Sequence, residues 1–290
     1  MSMLPLSLSK PWPEPLRSLI LEGCQALEAG RLAAARQAFA QALECEADIP
    51  EAHLGLALIQ RPGPDYRAWL ERLHAALRPA VYVEVGIESG LALQLAQPPT
   101  LAFGIDPVPQ APASTDWAAR TRIFTATSDA FFADPEMRAA LTGPVDFAFI
   151  DGDHRFEQVL RDFISLEALM SPGGIVALHD TWPLNAETAT RERTTGFYTG
   201  DGWKIVPCLR ALRPDLRLLT IPAAPTGLTL VTGLDPASTL LRDRFDVIIE
   251  LYGPLPYAPA MDRLLALSGN DDATLDQLLG WRAMATAKSS

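Results

Sequence analysis

The sequence of 290 residues has little cysteine, no long hydrophobic run and no excess of positive charge. Its three cysteines lie far apart and form no CxxC pair, which excludes a disulfide framework and a cysteine-based zinc site and favours a reducing compartment. No run of about 18 apolar residues occurs, so we expect no membrane-spanning helix. The net charge of −11 argues against nucleic-acid binding, because that affinity comes mainly from Lys and Arg neutralising phosphates.

What is present is typical of a globular protein with a sizeable core. Hydrophobic residues make up 48% of the chain and charged residues 20%. The first residues, MSMLPLSLSKPWPEPL, carry prolines where a secretory signal needs its apolar core. We therefore expect a cytoplasmic protein.

The N-terminal region, residues 1–62, is predicted to be helical because its apolar residues recur at helical spacing. Gly23, Ala35, Phe39 and Ala42 resemble one tetratricopeptide repeat, in which small residues let paired helices approach closely. On that interpretation the helices recruit a protein partner or form a homo-oligomer. The alternative is a plain helical hairpin packed on the next domain.

From residue 67 onward, short apolar runs alternate with amphipathic stretches, which predicts an α/β domain with a mostly parallel, doubly wound sheet. The predicted parallel strands are VYVEV (81–85), LAFGI (101–105), RIFTA (122–126), DFAFI (146–150) and GIVAL (174–178). Two further runs, 216–222 and 227–233, are separated by only AAPT and must therefore pair antiparallel. Residues 236–290 are predicted to be a helical C-terminal extension.

Ligands of such sheets bind beyond the carboxyl ends of the strands, and several polar residues stand there. Glu84, Gly86 and Gly90 follow the first strand, where glycines let the backbone approach a ligand closely. Asp106 follows the second strand, where a carboxylate can hold ribose hydroxyls. These residues by themselves predict only an adenosine-like ligand.

Ser128 and Asp129 follow the third strand and are positioned for the edge of a base. The E-x-G-x3-G turn, the acid after strand two and this Ser-Asp pair together resemble the class I S-adenosylmethionine-dependent methyltransferases, over residues 67–235. The resemblance implies a Rossmann-like seven-stranded sheet ending in an antiparallel hairpin, with S-adenosyl-L-methionine as cofactor. The cofactor site that it implies consists of Glu84, Gly86, Gly90, Asp106, Ser128, Asp129 and Asp151.

Two later strands also end in polar residues. Asp151 ends strand four in FIDGDHRFEQVLRDF, and His179 with Asp180 ends strand five in GGIVALHDTW. If these strands are neighbours, about 4.8 Å apart, their terminal side chains converge. Asp151, His179 and Asp180 then form a candidate site for Mg²⁺ or another divalent cation. Asp153 is predicted to be a turn or helix-cap residue.

This arrangement resembles the metal-dependent O-methyltransferases and the cephalosporin-hydroxylase-like proteins, which place an acidic pair after strand five. The first member of the pair is His179 here, and imidazole suits Mn²⁺, Fe²⁺ or Zn²⁺ better than Mg²⁺. A metal-free site with His154 or His179 as general base is the alternative. The predicted catalytic residues are Asp151, His154 and Asp180.

The segment from Thr188 to Leu216 is long for a simple connection and is locally basic and aromatic. We expect it to form a lid over the acceptor. Its predicted acceptor-binding residues are Arg191, Arg193, Trp203 and Lys204. The alternative places the arginines on the surface and the aromatic residues in the core.

The leading hypothesis is a methyltransferase that acts on a hydroxyl of a small molecule or sugar. An NAD-dependent oxidoreductase is a second hypothesis, disfavoured by the Gly-x3-Gly spacing and the final hairpin. A third is a non-catalytic adaptor with tetratricopeptide-type helices and an α/β domain that senses a nucleotide.

Overall fold

The computed structural model describes residues 8–112 and 116–288. In these residues the chain forms one mixed sheet with helices on both faces. Its strands are β1 (Val81–Val85), β2 (Leu101–Asp106), β3 (Arg120–Thr125), β4 (Val145–Ile150), β5 (Met170–His179), β6 (Arg217–Ile221) and β7 (Leu228–Thr232). All seven strands lie where the sequence predicts strands; β1 has the predicted ends, and the ends of the other strands differ by a few residues.

The strand order is β3-β2-β1-β4-β5-β7-β6. The first five strands are parallel, and β7 inserts between β5 and β6 and pairs antiparallel with both. The predicted terminal hairpin is therefore confirmed. Because β4 pairs directly with β5, the polar residues that end these two strands are neighbours, as the convergence of their side chains requires.

Eleven α-helices accompany this sheet within the described residues. They are α1 (Leu16–Glu28), α2 (Leu32–Cys45), α3 (Pro50–Gln60), α4 (Tyr66–Leu77), α5 (Ser128–Ala133), α6 (Pro135–Arg138), α7 (Phe156–Glu167), α8 (Ile205–Leu212), α9 (Leu240–Asp243), α10 (Phe245–Tyr252) and α11 (Asp272–Lys288). Short 3₁₀ turns occur at Leu93–Leu95, Gly202–Lys204 and Pro259–Leu264. No helix in the described ranges combines the length and the apolar character needed to cross a membrane.

Alternation along β1 shows how the sheet is buried on both faces. Val83 packs into the apolar cluster that also contains residues of α7 and α8, whereas Tyr82 packs into the cluster that contains residues of α4 and α11. Successive strand residues point to opposite faces, so a five-residue strand contributes to both layers. The C-terminal α11 thus belongs to one of the layers that cover the sheet.

Helices α1 to α3 form a separate apolar cluster around Phe39. Gly23 on α1 and Gly55 on α3 both face the Phe39 ring, and a Cβ at either position would collide with it. The small residues therefore allow the close helix approach that the sequence predicts. One helical unit of this kind does not establish a repeat, and the tetratricopeptide-like character stays a prediction.

Candidate active site

A cavity of about 880 Å³ opens at the carboxyl ends of β1, β2, β4 and β5. Its walls come from the turns after these strands, from the start of α5 and from residues 193–198 of the connection after β5. All of the strand-end residues predicted to bind a ligand line it except Gly90. The cavity thus brings the predicted cofactor residues and the predicted chemical residues into one site.

Gly86 is where the β1 turn makes its closest approach to β4. It has a φ of +82°, and a Cβ there would collide with the carbonyl of Asp151. Only glycine combines this backbone conformation with this lack of space at little cost. Gly90 ends the same turn with a φ of +79° and packs against Trp117 rather than facing the cavity.

Glu84 lies at the floor of the cavity and is 1% exposed. The Tyr82 hydroxyl donates a hydrogen bond to its Oε2 at 2.7 Å. Burial raises the pKa of Glu84 to about 8; the hydrogen bond from Tyr82 opposes this rise, and the nearby Asp151 adds to it. The carboxyl group is therefore largely protonated at neutral pH in the absence of a ligand, and can donate as well as accept a hydrogen bond.

Asp106 fixes the turn after β1 from the end of β2. Its Oδ2 accepts the backbone N–H groups of Ile87 and Glu88 at 3.0 and 2.9 Å, and its Oδ1 accepts that of Val108 at 2.7 Å. The carboxylate holds the turn in place and still faces the cavity. Its structural role is additional to the ribose-binding role that the resemblance implies.

Ser128 and Asp129 begin α5, whose N-cap Thr127 accepts the N–H of Ala130. Sequence reasoning missed their partner Gln158, which lies in the first turn of α7. The Gln158 Nε2 lies 3.1 Å from both Ser128 Oγ and Asp129 Oδ1, and Gln158 lines the cavity. The signal available in the sequence was a polar residue in the first turn of the helix that follows β4.

The predicted catalytic residues Asp151, His154 and Asp180 form a cluster in the cavity. Each offers one ligand atom, and these three atoms all lie within 4.8 Å of one another. The Nδ1 of His154 is 3.1 Å from Asp180 Oδ2, and its Nε2 is 3.9 Å from Asp151 Oδ1. Two carboxylates and an imidazole at this separation could hold a divalent cation or could hold the imidazole as a base.

Asp180 has an unusual backbone as well as a central side chain. Its φ is +56°, a left-handed conformation that is uncommon outside glycine and is tolerated best by Asp and Asn. The residue is 6% exposed. A buried acid in a sparsely populated conformation is common at functional sites, where the surrounding structure maintains the strain.

His179 is held between carboxylates and an aromatic ring. Its Nδ1 is 3.0 Å from Asp151 Oδ1 and 3.5 Å from Asp180 Oδ1. The centroid of its ring is 4.2 Å from that of Tyr66, and its Nε2 is 3.4 Å from the Thr226 hydroxyl. Tyr66 and Thr226 line the cavity, and sequence reasoning missed both because they are distant from the strand-end motifs.

His179 lies beside this group and lines the cavity, and its role as a metal ligand stays a prediction. The three atoms that group together belong to His154 and the two aspartates. Burial lowers the pKa of His179, but the charges of Asp151 and Asp180 outweigh burial and raise the pKa to about 9. His179 is therefore a cationic partner of the two carboxylates in this arrangement.

Asp153 lies at the rim and pairs with Arg155, accepting both its backbone N–H and its guanidinium. The hydrogen bonds and charge of Arg155 outweigh burial and lower the pKa of Asp153. Asp153 is thus a turn residue, one of the two roles predicted for it.

The connection after β5 supplies part of the predicted lid. We call residues 191–201 the acceptor loop; its cavity-lining members are Arg193, Gly196, Phe197 and Tyr198. The Tyr198 ring lies parallel to that of His154, with centroids 5.7 Å apart and an interplanar angle of 5°. The loop therefore covers His154.

Three of the four predicted acceptor-binding residues lie elsewhere. Trp203 is fully buried in the main apolar cluster, and Lys204 is 5% exposed and donates to Asp201 and to the Gly253 carbonyl. Arg191 pairs with Glu157 and does not line the cavity. The prediction is wrong for Trp203 and Lys204 because the connection turns into the core at the 3₁₀ turn before α8.

The central part of the chain is similar to a known protein family. Residues 83–181 match a family model described as a methyltransferase domain, and no curated protein matches the sequence. The matched residues contain the end of β1, the strands β2 to β5 and the whole group of Asp151, His154 and Asp180. The match is confined to residues 83–181, and the strand order of the whole sheet is the Rossmann-like seven-stranded arrangement that the sequence predicts.

Similar solved structures include a cofactor-bound Rv0187 from MTB, with 15% identity and a TM-score of 0.47 over 63% of this chain and 88% of that one. An O-methyltransferase from Bacillus cereus in complex with SAH has 14% identity and a TM-score of 0.45 over 77% and 92%. The O-methyltransferase TomG from Streptomyces achromogenes, in complex with SAM, has 16% identity and a TM-score of 0.41 over 56% and 77%. Likenesses at this level carry no argument about the substrate.

Proposed function

We propose that this chain transfers the methyl group of S-adenosylmethionine to a hydroxyl of a small molecule or sugar. The observation that carries the proposal is the single cavity in which the β1 turn and Asp106 face the group of Asp151, His154 and Asp180. In-line methyl transfer needs the donor and the nucleophile in contact, and one cavity can hold both. The match of residues 83–181 to a methyltransferase domain supports this assignment.

The cofactor half would bind the methionine and ribose portions at Glu84, Gly86 and Asp106, and the adenine near Ser128, Asp129 and Gln158. S-adenosylmethionine supplies an activated methyl group on a cationic sulfonium. The acidic residues that line the cavity favour a cation there by simple electrostatics. Glu84 can donate or accept a hydrogen bond at the floor of the site because its proton is retained near neutral pH.

His154 would remove the proton of the acceptor hydroxyl. A protonated hydroxyl is a poor nucleophile, and an imidazole within hydrogen-bond reach can take its proton. The carboxylate of Asp180, 3.1 Å from Nδ1, stabilises the imidazolium that results. Tyr198 stacks on the ring and restricts its orientation.

A divalent cation also fits this donor set. Asp151, His154 and Asp180 would hold it, and an imidazole together with two carboxylates suits Mn²⁺, Fe²⁺ or Zn²⁺. If bound there, such an ion would lower the pKa of the acceptor hydroxyl. His154 serves either as ligand or as base, so activity measured with and without a chelator separates the two versions.

Calorimetric titration tests the proposal directly. We expect S-adenosylhomocysteine to bind and NADH not to bind, because the turn after β1 has Gly-x3-Gly spacing rather than the G-x-G-x-x-G of dinucleotide sites. NADH binding without S-adenosylhomocysteine binding would reject methyl transfer. A protein that binds S-adenosylhomocysteine but methylates no catechol or hexoside from labelled S-adenosylmethionine would contradict the hydroxyl acceptor.

The domain organisation that goes with this function has three parts. We assign a helical segment at residues 1–62, the methyltransferase domain at residues 67–235 and a helical extension at residues 236–290. Residues 1–7, 113–115 and 289–290 of these ranges lie outside the described part of the chain. Packing of α11 against β5 supports counting the extension as part of the folded unit. A homo-oligomer or a protein partner bound by the N-terminal helices remains part of the proposal, and sedimentation of the full chain tests it.

A further inference from the structure

The start of α3 contacts the acceptor loop directly. Asp48, two residues before α3, accepts the backbone N–H of Gly196 at Oδ1, 2.6 Å away. Gly196 packs on Pro50 so closely that a Cβ there would lie 2.6 Å from Pro50 Cγ. The bond joins residues 148 positions apart, so it is a tertiary contact between the helical segment and the loop.

One turn further along α3, His53 stacks on Phe197. The ring centroids are 5.9 Å apart with an interplanar angle of 24°, and His53 is 2% exposed. Burial lowers the pKa of His53, against the opposing charges of Asp48 and Glu187. The imidazole is therefore a neutral aromatic surface for Phe197.

The other end of α3 holds the chain just after Asp180. Arg61, the C-cap residue of α3, donates from Nη2 to the carbonyls of Trp182 and Pro183 at 2.7 and 3.0 Å. Its guanidinium lies over the Trp182 ring, 4.5 Å from the centroid, and the residue is 1% exposed. Both ends of α3 thus fix the connection that follows β5.

The residues that α3 contacts either line the cavity or are neighbours of residues that line it. Gly196 and Phe197 line the cavity themselves, and Tyr198 follows them and stacks on His154. A loop of this length without regular structure samples many conformations unless tertiary contacts restrict it. The loop is held from inside the methyltransferase domain at Arg191 and Tyr198, and α3 adds contacts from outside that domain at Gly196 and Phe197.

We propose that the N-terminal helical segment is part of the acceptor site, in which Asp48 and His53 act as positioning residues for the acceptor loop. The proposal rests on the proposed function in one respect, namely that the loop faces the methyl acceptor. It assigns the helical segment a role within the enzyme, where the sequence predicted recruitment of a partner. The segment then contributes to acceptor affinity and leaves cofactor affinity unchanged.

Hydrogen exchange of the full-length protein tests the contact itself. Asp48→Ala removes the acceptor for the Gly196 N–H, and we expect the peptide spanning residues 191–202 to exchange about tenfold faster, since the hydrogen bond that ties the loop to α3 is lost. Asp48→Asn keeps an acceptor oxygen and should stay within about twofold of the wild type. Asp134→Ala is the matched control, because Asp134 also accepts backbone N–H groups but caps α6 far from the loop. Unchanged exchange in Asp48→Ala would overturn the proposal.

His53 provides an independent variant in case Asp48→Ala disturbs folding. His53→Phe keeps a ring against Phe197 and should retain protection of the loop, whereas His53→Ala should lose it. Equal protection in the two variants would contradict the positioning role of the ring. Thermal unfolding of each variant shows whether a loss is local or reflects a chain that no longer folds.

Binding and kinetics separate this inference from the proposed function. For Asp48→Ala we expect the dissociation constant of S-adenosylhomocysteine to change less than about twofold, while the KM of the best hydroxyl probe, catechol or methyl hexoside, rises about tenfold and Asp48→Asn restores it. If the wild type binds no S-adenosylhomocysteine, the proposed function fails, and hydrogen exchange still decides the contact. If a variant has a faster-exchanging loop but an unchanged KM, the proposal that α3 acts on acceptor binding is contradicted.

Discussion

The two halves of the cavity are built in different ways. The cofactor half consists of turns that directly follow β1, β2 and β3, and its residues are fixed by bonds within about 20 positions, as when Asp106 holds the N–H of Ile87. The acceptor half joins Asp151 and Asp180 to a loop that depends on α3, more than a hundred positions away.

This difference suggests that the cofactor half depends on the sheet alone, whereas the acceptor half is particular to this chain. A turn that approaches a cofactor by its backbone needs only a few residue types at fixed positions, so any chain with this sheet can carry it. An acceptor wall needs side chains brought together by tertiary packing, and it can change without altering the turns. Substitutions in one half at a time test whether the two halves are independent.

Asp180→Asn should have the largest effect and should act on the acceptor half only. The variant is nearly isosteric, and asparagine tolerates the φ of +56° at this position. It removes the charge 3.1 Å from His154 Nδ1, and we expect kcat to fall about 10²–10⁴-fold with little change in S-adenosylhomocysteine affinity.

Asp153→Asn is the matched control for this variant, because it removes the same charge from the same cavity at a rim position paired with Arg155. We expect its kcat to stay within about threefold of the wild type. Similar losses in the two variants would mean that overall charge, and not the group around His154, determines the rate.

Gly86→Ala should damage the cofactor half and the fold together. The added Cβ collides with the Asp151 carbonyl in a backbone conformation with a φ of +82°, and we expect the free energy of unfolding to fall by about 3 kcal/mol. Denaturant unfolding measures this loss. Gly143→Ala is the control, since a Cβ at Gly143 has no atom within 4 Å and should change stability by less than about 0.5 kcal/mol. A loss equal to that of the control would show that the tips of β1 and β4 can separate.

Glu84→Gln should change how stability depends on pH. The native pKa of Glu84 is about 8, above its ordinary value of 4.5, so between these values the native state keeps a proton that the unfolded chain has released. Rising pH therefore destabilises the wild type over this window, by up to about 1.4 kcal/mol per pH unit from this group, and Glu84→Gln lacks that contribution. Urea unfolding of ligand-free protein between about pH 5 and pH 8 measures the difference.

Exposed Glu71 on α4 offers a control, because Glu71→Gln should leave the pH dependence of unfolding as it is in the wild type. Parallel curves for the wild type and Glu84→Gln would contradict the raised pKa of Glu84.

The same contrast explains which parts of the site could be predicted from the sequence. The strands were predictable because short β-branched and aromatic runs bounded by turn residues are typical of strands. The run VYVEV forms β1 with both ends as predicted. The cofactor residues followed, since Asp106 and Ser128 are fixed to the strand ends by the chain itself. Asp151 and Asp180 were predictable for the same reason.

The acceptor half could not be predicted in the same way. Nothing local distinguishes Trp203, which is buried, from Tyr198, which covers His154, because both belong to one aromatic and basic stretch. The position of His154 beside Asp151 and Asp180 likewise depends on how the loop after β4 folds back. Tyr66 reaches the site from α4, a helix that no strand-end rule connects to it.

Gln158 is an exception that tests the contrast, because it belongs to the cofactor half but is placed by tertiary packing. Its Nε2 joins Ser128 and Asp129 to Asp162, a buried acid whose pKa burial raises to about 6. Gln158→Leu should weaken S-adenosylhomocysteine binding about fivefold, the equivalent of about one hydrogen bond, and should leave kcat nearly unchanged. Gln41→Leu, exposed on α2, controls for the loss of an amide. Calorimetry measures the affinity. A change in kcat without a change in affinity would place Gln158 with the catalytic residues. The cofactor half would then be formed by the strand-end turns alone.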